Sequence, residues 1–176
     1  FTLRTVEDTL KIREFIDKHH PKSAVLAGGG FIGLELAENL RELGLDVTIV
    51  QKPMQLLNPL DEEMACFLHA QMRKHGVHLM LGHLVEGFRQ NGEQVDVLLE
   101  GASPLTADLV ILAIGVTPDT GLAKEAGLKL GIRGSILVND RMETSVPDIY
   151  AVGDAVQVQH VVTGDAALIS LAGPAN

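Results

Sequence analysis

The residues with the clearest capacity for chemistry are three glycines. Gly28, Gly30 and Gly33 stand in a Gly-x-Gly-x-x-Gly spacing, directly after the apolar run Ser23–Ala27 and directly before a helical pattern. Strand followed by helix N-terminus is the context that gives this spacing physical meaning. The first glycine allows a tight turn, the second lets a pyrophosphate approach the backbone, and the third lets the helix pack closely on the strand. The helix start then offers unpaired N–H groups and the positive end of its dipole to the phosphates. A Gly-rich turn before an ordinary helix is the plain alternative. The dinucleotide reading is preferred because the next strand-type run, Asp46–Val50, falls where such a unit requires it. The candidate coenzyme contacts are Gly28, Gly29, Gly30, Phe31, Ile32 and Gly33.

The end of the second strand decides between coenzymes. An NAD site normally carries an acid there, about 20 residues beyond the glycines, to bind the ribose hydroxyls. Here the strand is followed by Gln51 and Lys52. Gln51 can hydrogen-bond a 2′-hydroxyl but lacks the charge that repels a 2′-phosphate. Lys52 can attract that phosphate, though only as a point charge and with no arginine pair to grip it.

Other reactive side chains point to little. Cys66 is the single cysteine, set inside a helical pattern nearly opposite its apolar stripe, and reads as an ordinary thiol. His75-x-x-His78 and His83 straddle a helix end and a strand, so no metal site is expected. No nucleophile elbow, Walker lysine or metalloprotease signature occurs.

The elements that must position the glycines follow from periodicity and caps. Thr5-Val6-Glu7-Asp8 resembles a capping box and opens a helix to about His19, stopped by Pro21. A helix from Phe31 to Leu43 carries an apolar stripe of Ile32, Leu36, Leu40 and Leu43. Asn58-Pro59-Leu60-Asp61 opens a further helix to His75, with Met64, Phe67, Leu68 and Met72 expected on its core face. Val77–Leu81 reads as a third strand, and Gln90-Asn91-Gly92-Glu93 as a hairpin turn. Residues 109–114 form a continuous apolar run suited to a buried central strand. Beyond Gly115 a short helix (122–128) and two short strands (135–138 and 149–152) are expected, the second ending in Gly153-Asp154. Strands alternating with helices, with one antiparallel insertion, define an α/β chain.

Four blocks together resemble the flavin-dependent pyridine nucleotide-disulfide oxidoreductases. They are Ala27-Gly-Gly-Gly-Phe-Ile-Gly-Leu-Glu35, Ala113-Ile-Gly-Val-Thr-Pro-Asp119, Thr144-Ser-Val-Pro-Asp-Ile-Tyr-Ala-Val-Gly-Asp154 and Leu171-Ala-Gly-Pro-Ala-Asn176. The third is similar to the family's second FAD motif. The fourth resembles the branch holding coenzyme A-disulfide reductase, NADH oxidase and persulfide or polysulfide reductases. The resemblance implies a Rossmann-like βαβ dinucleotide-binding domain with a β-meander insertion, plus part of a second, FAD-binding domain. It places an NAD(P)-binding domain at 1–116, with a leading helix and linker at 1–20, and a returning segment of an incomplete FAD domain at 117–176. The first FAD glycine motif, the redox-cysteine segment and a homodimerisation domain then lie outside this sequence. The first residue is Phe rather than Met, which agrees with a piece of a longer chain.

By the same resemblance, Phe31 takes the place of the aromatic that covers the flavin and swings aside for nicotinamide. A helix-start residue packing on the sheet is the equal alternative. Glu35 matches a glutamate that pairs with a lysine near the flavin, or else is a first-turn acid favoured by the helix dipole. Gly115 matches a glycine lying along the nicotinamide. Gly153 and Asp154 match the turn and carboxylate that receive the flavin ribityl chain, and Leu171 and Ala172 belong to the last cofactor-binding block. The implied cofactors are NAD(H), preferred, with NADP(H) possible, and FAD in the parent protein. The expected activity is hydride transfer from NAD(P)H to FAD and on to a cysteine, disulfide, persulfide or oxygen acceptor, the chain by itself being inactive. A flavin-free NAD-dependent dehydrogenase and a non-enzymatic nucleotide-sensing module remain as alternatives.

The bulk numbers fit. The 176 residues carry a formal charge of −9, which argues against nucleic acid as a partner. No apolar run approaches the roughly 20 residues of a membrane span. One cysteine forms no internal disulfide, which suits a cytoplasmic setting.

Overall fold

The computed structural model describes residues 1–169. The chain divides into two compact units, one from Phe1 to Gly115 and a second from Val116 onward.

The first unit is built on a four-stranded parallel sheet. Its elements are helix α1 (Val6–His19), strand β1 (Ser23–Ala27), helix α2 (Phe31–Glu42), strand β2 (Asp46–Gln51), helix α3 (Glu62–Lys74) and strand β3 (Val77–Leu81). An antiparallel meander follows, β4 (Val85–Asn91), β5 (Gln94–Leu99) and β6 (Ala102–Ala107), and then β7 (Leu109–Leu112) returns to the parallel sheet. The strand order is β3-β2-β1-β7, with the meander ordered β4-β5-β6.

Both faces of the parallel sheet are covered, and the period of two along each strand shows how. Ala24 and Leu26 of β1, Val47 and Ile49 of β2, and Leu109 and Ile111 of β7 join one core cluster. That cluster takes in Ile12 of α1, Ala37 and Leu40 of α2, and Leu68 and Met72 of α3. The alternate residues Val25, Val50 and Val110 face a second cluster with Val97, Leu99 and Ala107 of the meander. Helices cover one face and the meander the other, which is why the strands read as continuous apolar runs.

Thr5 caps α1 as expected: its hydroxyl accepts from the Asp8 N–H and Asp8 accepts from the Thr5 N–H. Several expectations are corrected. The apolar run at 109–114 gives a strand only to Leu112, and β7 ends the strand order rather than sitting in its middle. Its outer side is met by the N-terminal residues, Thr2 bridging Leu112. Helix α3 begins at Glu62, not at Asn58, because the segment before it is held by the β1–α2 turn. On α3 the buried face is Ala65 with Leu68 and Met72 inward, while Met64 and Phe67 are 56% and 73% exposed. On α2 the buried positions are Gly33, Ala37 and Leu40, with Leu43 exposed, because the helix lies so close to β1 that small residues make the contact.

The second unit contains helix α4 (Gly121–Glu125) and strands β8 (Ile136–Leu137), β9 (Val156–Gln159) and β10 (Ala166–Ala167), in the order β10-β9-β8. The strand expected at 149–152 is absent. Asp148 adopts a left-handed φ of 63° and the Ile149 N–H returns to the Val146 carbonyl, so the chain turns there and only an isolated Glu143–Tyr150 bridge forms. The helix expected at 122–128 stops at Glu125.

Candidate coenzyme-binding site

Strands β1, β2 and β3 run in sequence away from β1, whereas β7 lies on its other side. The sheet order therefore reverses at β1 and β7, and a crevice at the carboxyl ends of strands forms at such a switch point. The turn after β1 and the residues after β7 meet there. The Gly28 N–H donates to the Val50 carbonyl at 2.8 Å, and the Ala113 N–H to the Ala27 carbonyl at 2.7 Å.

Each glycine has a distinct physical reason. Gly28 has φ +118°, and a Cβ there would overlap the Ala113 carbonyl oxygen. A Cβ on Gly33 would overlap the Gly28 carbonyl oxygen, so this glycine lets α2 sit against the turn. Gly30 differs. A Cβ there meets nothing within 4 Å, and its backbone is extended at φ −84°, ψ −171°. Nothing among the described residues would meet a side chain at 30, so the space above Gly30 is open.

That space faces the start of α2. The first intrahelical bond runs from the Leu34 N–H to the Gly30 carbonyl at 3.0 Å, and Gly30 offers no side-chain cap. The N–H groups of Phe31, Ile32 and Gly33 meet no acceptor among the described residues. They and the helix dipole make a donor set suited to a pyrophosphate. Phe31 is 54% exposed beside it. Glu35 is exposed too, but it lies in the second turn; the first turn of α2 holds no acid.

The end of β2 is tied to this loop. The Gly29 N–H donates to Gln51 Oε1 at 2.9 Å, and Gln51 Nε2 donates to the Gln55 carbonyl at 3.5 Å. Lys52 is exposed. Sequence reasoning missed the segment that follows. The Leu57 N–H donates to the Gly29 carbonyl at 3.0 Å, and fully buried Leu56 packs its side chain on Gly29. The Leu56 N–H donates to His69 Nε2 of α3 at 3.1 Å. Burial, with Arg73 adding to it, lowers the His69 pKa, so the ring stays neutral and able to accept. The only legible signal was Leu56-Leu57, two apolar residues in an otherwise loop-like stretch.

Gly115 follows β7 with φ +108° and open space where a Cβ would stand. In the second unit, Gly153 has φ +92° and accepts from the Val156 N–H at 3.2 Å, leaving the Asp154 carboxylate exposed just before β9. Leu171 and Ala172 lie outside the described residues. Cys66 is exposed on α3. His75 caps the end of α3 against Gln71, and His78 projects from β3. Among the described residues no three His, Cys, Asp or Glu side chains are grouped to hold a metal, and no helix is long and apolar enough to cross a membrane.

The chain is similar in sequence and in fold to known proteins. The chain is 36% identical over its whole length to the NAD(P)H coenzyme A polysulfide/persulfide reductase of Pyrococcus horikoshii, covering 39% of that protein. It is 39% identical over 96% of its length to the NADH oxidase of Methanocaldococcus jannaschii, covering 37% of it. The crystal structure of reduced Bacillus anthracis CoADR-RHD superposes with a TM-score of 0.92 at 48% identity, over all of this chain and 31% of that one. The chain thus spans about two fifths of the curated relatives it matches. Residues 1–167 match the family model described as pyridine nucleotide-disulphide oxidoreductase, and the chain belongs to that family.

Proposed function

We propose that the chain is the NAD(P)H-binding part, with a returning flavin-domain segment, of an FAD-dependent oxidoreductase. The observation that carries this is the open space over Gly30, walled by the unpartnered N–H groups that begin α2. In the proposal these groups and Gly28 to Gly33 hold the pyrophosphate, Gln51 and Lys52 meet the adenosine ribose, and Gly115 lies along the nicotinamide. Phe31 covers the route to the flavin and moves aside for the nicotinamide, while Glu35 supports the flavin side from the next turn. Gly153 and Asp154 present a carboxylate to the flavin ribityl hydroxyls. When bound, the flavin takes hydride from the coenzyme and passes electrons to an acceptor of the disulfide, persulfide or oxygen class. The division into a coenzyme domain ending near 116 and a flavin segment beyond it, homodimerisation through a further domain, and a cytoplasmic setting belong to the same reading. NADH is the preferred coenzyme, with NADPH accepted.

The test is a titration of NADH and NADPH, followed by coenzyme fluorescence, into wild type and Gly30→Val. Space for the new side chain exists, so the variant is expected to keep its circular dichroism and lose binding by at least about a hundredfold, near 2.7 kcal/mol. Unchanged binding overturns the assignment of the site.

A further inference from the structure

We propose that His69 is a positioning residue for the adenosine half of the coenzyme, its imidazole holding the 52–60 segment closed over Gly29. This rests on the coenzyme reading of the glycine loop. The segment leaves β2 at Gln51, the strand end where the ribose is bound in dinucleotide units. It has no regular structure of its own, and Leu57 sits at a left-handed φ of 46°. Its conformation is therefore set by the bonds that fasten it. Two of its fastenings reach Gly29, through the Leu57 N–H and the Leu56 side chain. A third reaches α3, where the Leu56 N–H meets His69 Nε2 at 3.1 Å. Leu56 is fully buried, so its N–H has no water to turn to if that acceptor is lost.

The acceptor is conditional. Nε2 accepts only in the neutral ring with the proton on Nδ1; in the imidazolium both nitrogens donate. A protonated His69 would set a donor against the Leu56 N–H and release the segment. Burial and the Arg73 guanidinium one turn along α3 both hold the pKa below the ordinary 6.5. Arg73 is the charge that acts on the ring, while Lys52 of the segment and His78 of β3 are exposed. The folded pKa is depressed, so the latch is closed above the unfolded pKa and opens as pH falls through the folded value.

The experiment measures the NADH dissociation constant of the full chain from about pH 7.5 to about pH 5 for wild type, His69→Gln and His69→Leu. The glutamine carboxamide oxygen can accept the same N–H at every pH, whereas leucine cannot. Wild type is expected to weaken roughly five- to tenfold toward acid, His69→Gln to stay flat, and His69→Leu to be weaker by a similar factor throughout, the size of one buried hydrogen bond. Amide exchange without coenzyme should show the Leu56 and Leu57 N–H groups protected in wild type and His69→Gln at neutral pH, and exposed in His69→Leu. If His69→Leu fails to fold, the wild-type and His69→Gln profiles still decide. Superimposable profiles, with Gly30→Val still abolishing binding, overturn the role of His69 alone. Wild-type binding by Gly30→Val removes the coenzyme reading and this proposal with it.

Discussion

In the proposed site, residue 51 is where coenzyme choice becomes a matter of single atoms. Gln51 spends its carboxamide oxygen on the Gly29 N–H and its nitrogen on the Gln55 carbonyl, so it braces the loop as well as lining it. A glutamate keeps the first bond, made stronger by its charge, and turns its other oxygen toward the ribose. It loses only the long contact to Gln55. Gln51→Glu is therefore expected to leave NADH binding nearly unchanged and to weaken NADPH about tenfold, or ~1.4 kcal/mol, by repulsion of the 2′-phosphate. Parallel titrations at one ionic strength measure this; equal weakening of both coenzymes would mean that the carboxylate has disturbed the loop instead. The sequence placed Gln51 correctly at the end of its strand, since it stands 18 positions beyond Gly33, in the spacing a dinucleotide unit requires. Its bond to Gly29 was not legible, and neither was that of His69 to Leu56. Both pair a side chain with a backbone group, and backbone groups leave no mark in a residue string.

Among the elements, α2 shows what residue pattern reveals and what it hides. Its start and glycines were legible, but its buried ridge was read as the large residues Ile32, Leu36, Leu40 and Leu43, whereas the buried positions are Gly33, Ala37 and Leu40, with Leu36 only partly buried against the core and Leu43 exposed. A pattern weighted by hydrophobicity misses a face selected for small size. The consequence is testable at Gly33, where a Cβ would strike the Gly28 carbonyl oxygen, a backbone atom that cannot rotate out of the way. Gly33→Ala should lift α2 from β1 and destabilise the unit by about 1–3 kcal/mol, the usual cost of overpacking. Thermal unfolding of this variant beside Gly30→Val separates the roles, since only the first is expected to lower the midpoint. Strand β6 was hidden for a different reason. Ala-Ser-Pro-Leu-Thr-Ala reads as loop, yet β6 is the outer strand of the meander, where a proline removes no required ladder bond. Met64 and Phe67 misled in the opposite sense, apolar at helical spacing but exposed.

For the molecule as a whole, the α/β class was legible in the alternation of strand and helix patterns. The polar stitching of the meander was not. Asp96 looks like the outward member of an alternating Val-Asp-Val strand, yet it is only 5% exposed. From the middle strand it accepts from Arg89 at 2.8 Å and Asn91 at 2.9 Å on β4, and from Thr106 at 2.7 Å on β6. One carboxylate thus joins all three strands. Those hydrogen bonds, Arg89 foremost, then Asn91 and Thr106, bring its pKa from 3.8 to about 2. Asp108 acts similarly between the meander and the parallel sheet, accepting from Gln94 at 2.7 Å and from the Lys22 N–H at 2.8 Å, and its pKa is also lowered. A depressed carboxylate pKa gives stability that is complete above the unfolded value and is lost as pH falls through the folded one. For Asp96 that window runs from 3.8 down to about 2. Asp96→Asn keeps the shape but not the charge, so its deficit relative to wild type should be full near neutrality and shrink steadily across that window. The chain has no tryptophan, and its single tyrosine, Tyr150, lies in the second unit, so circular dichroism in urea is the suitable probe of the first. Urea midpoints for the two proteins should converge in acid; curves that stay parallel from neutrality through the window would show that the meander is held by its apolar contacts and not by this carboxylate.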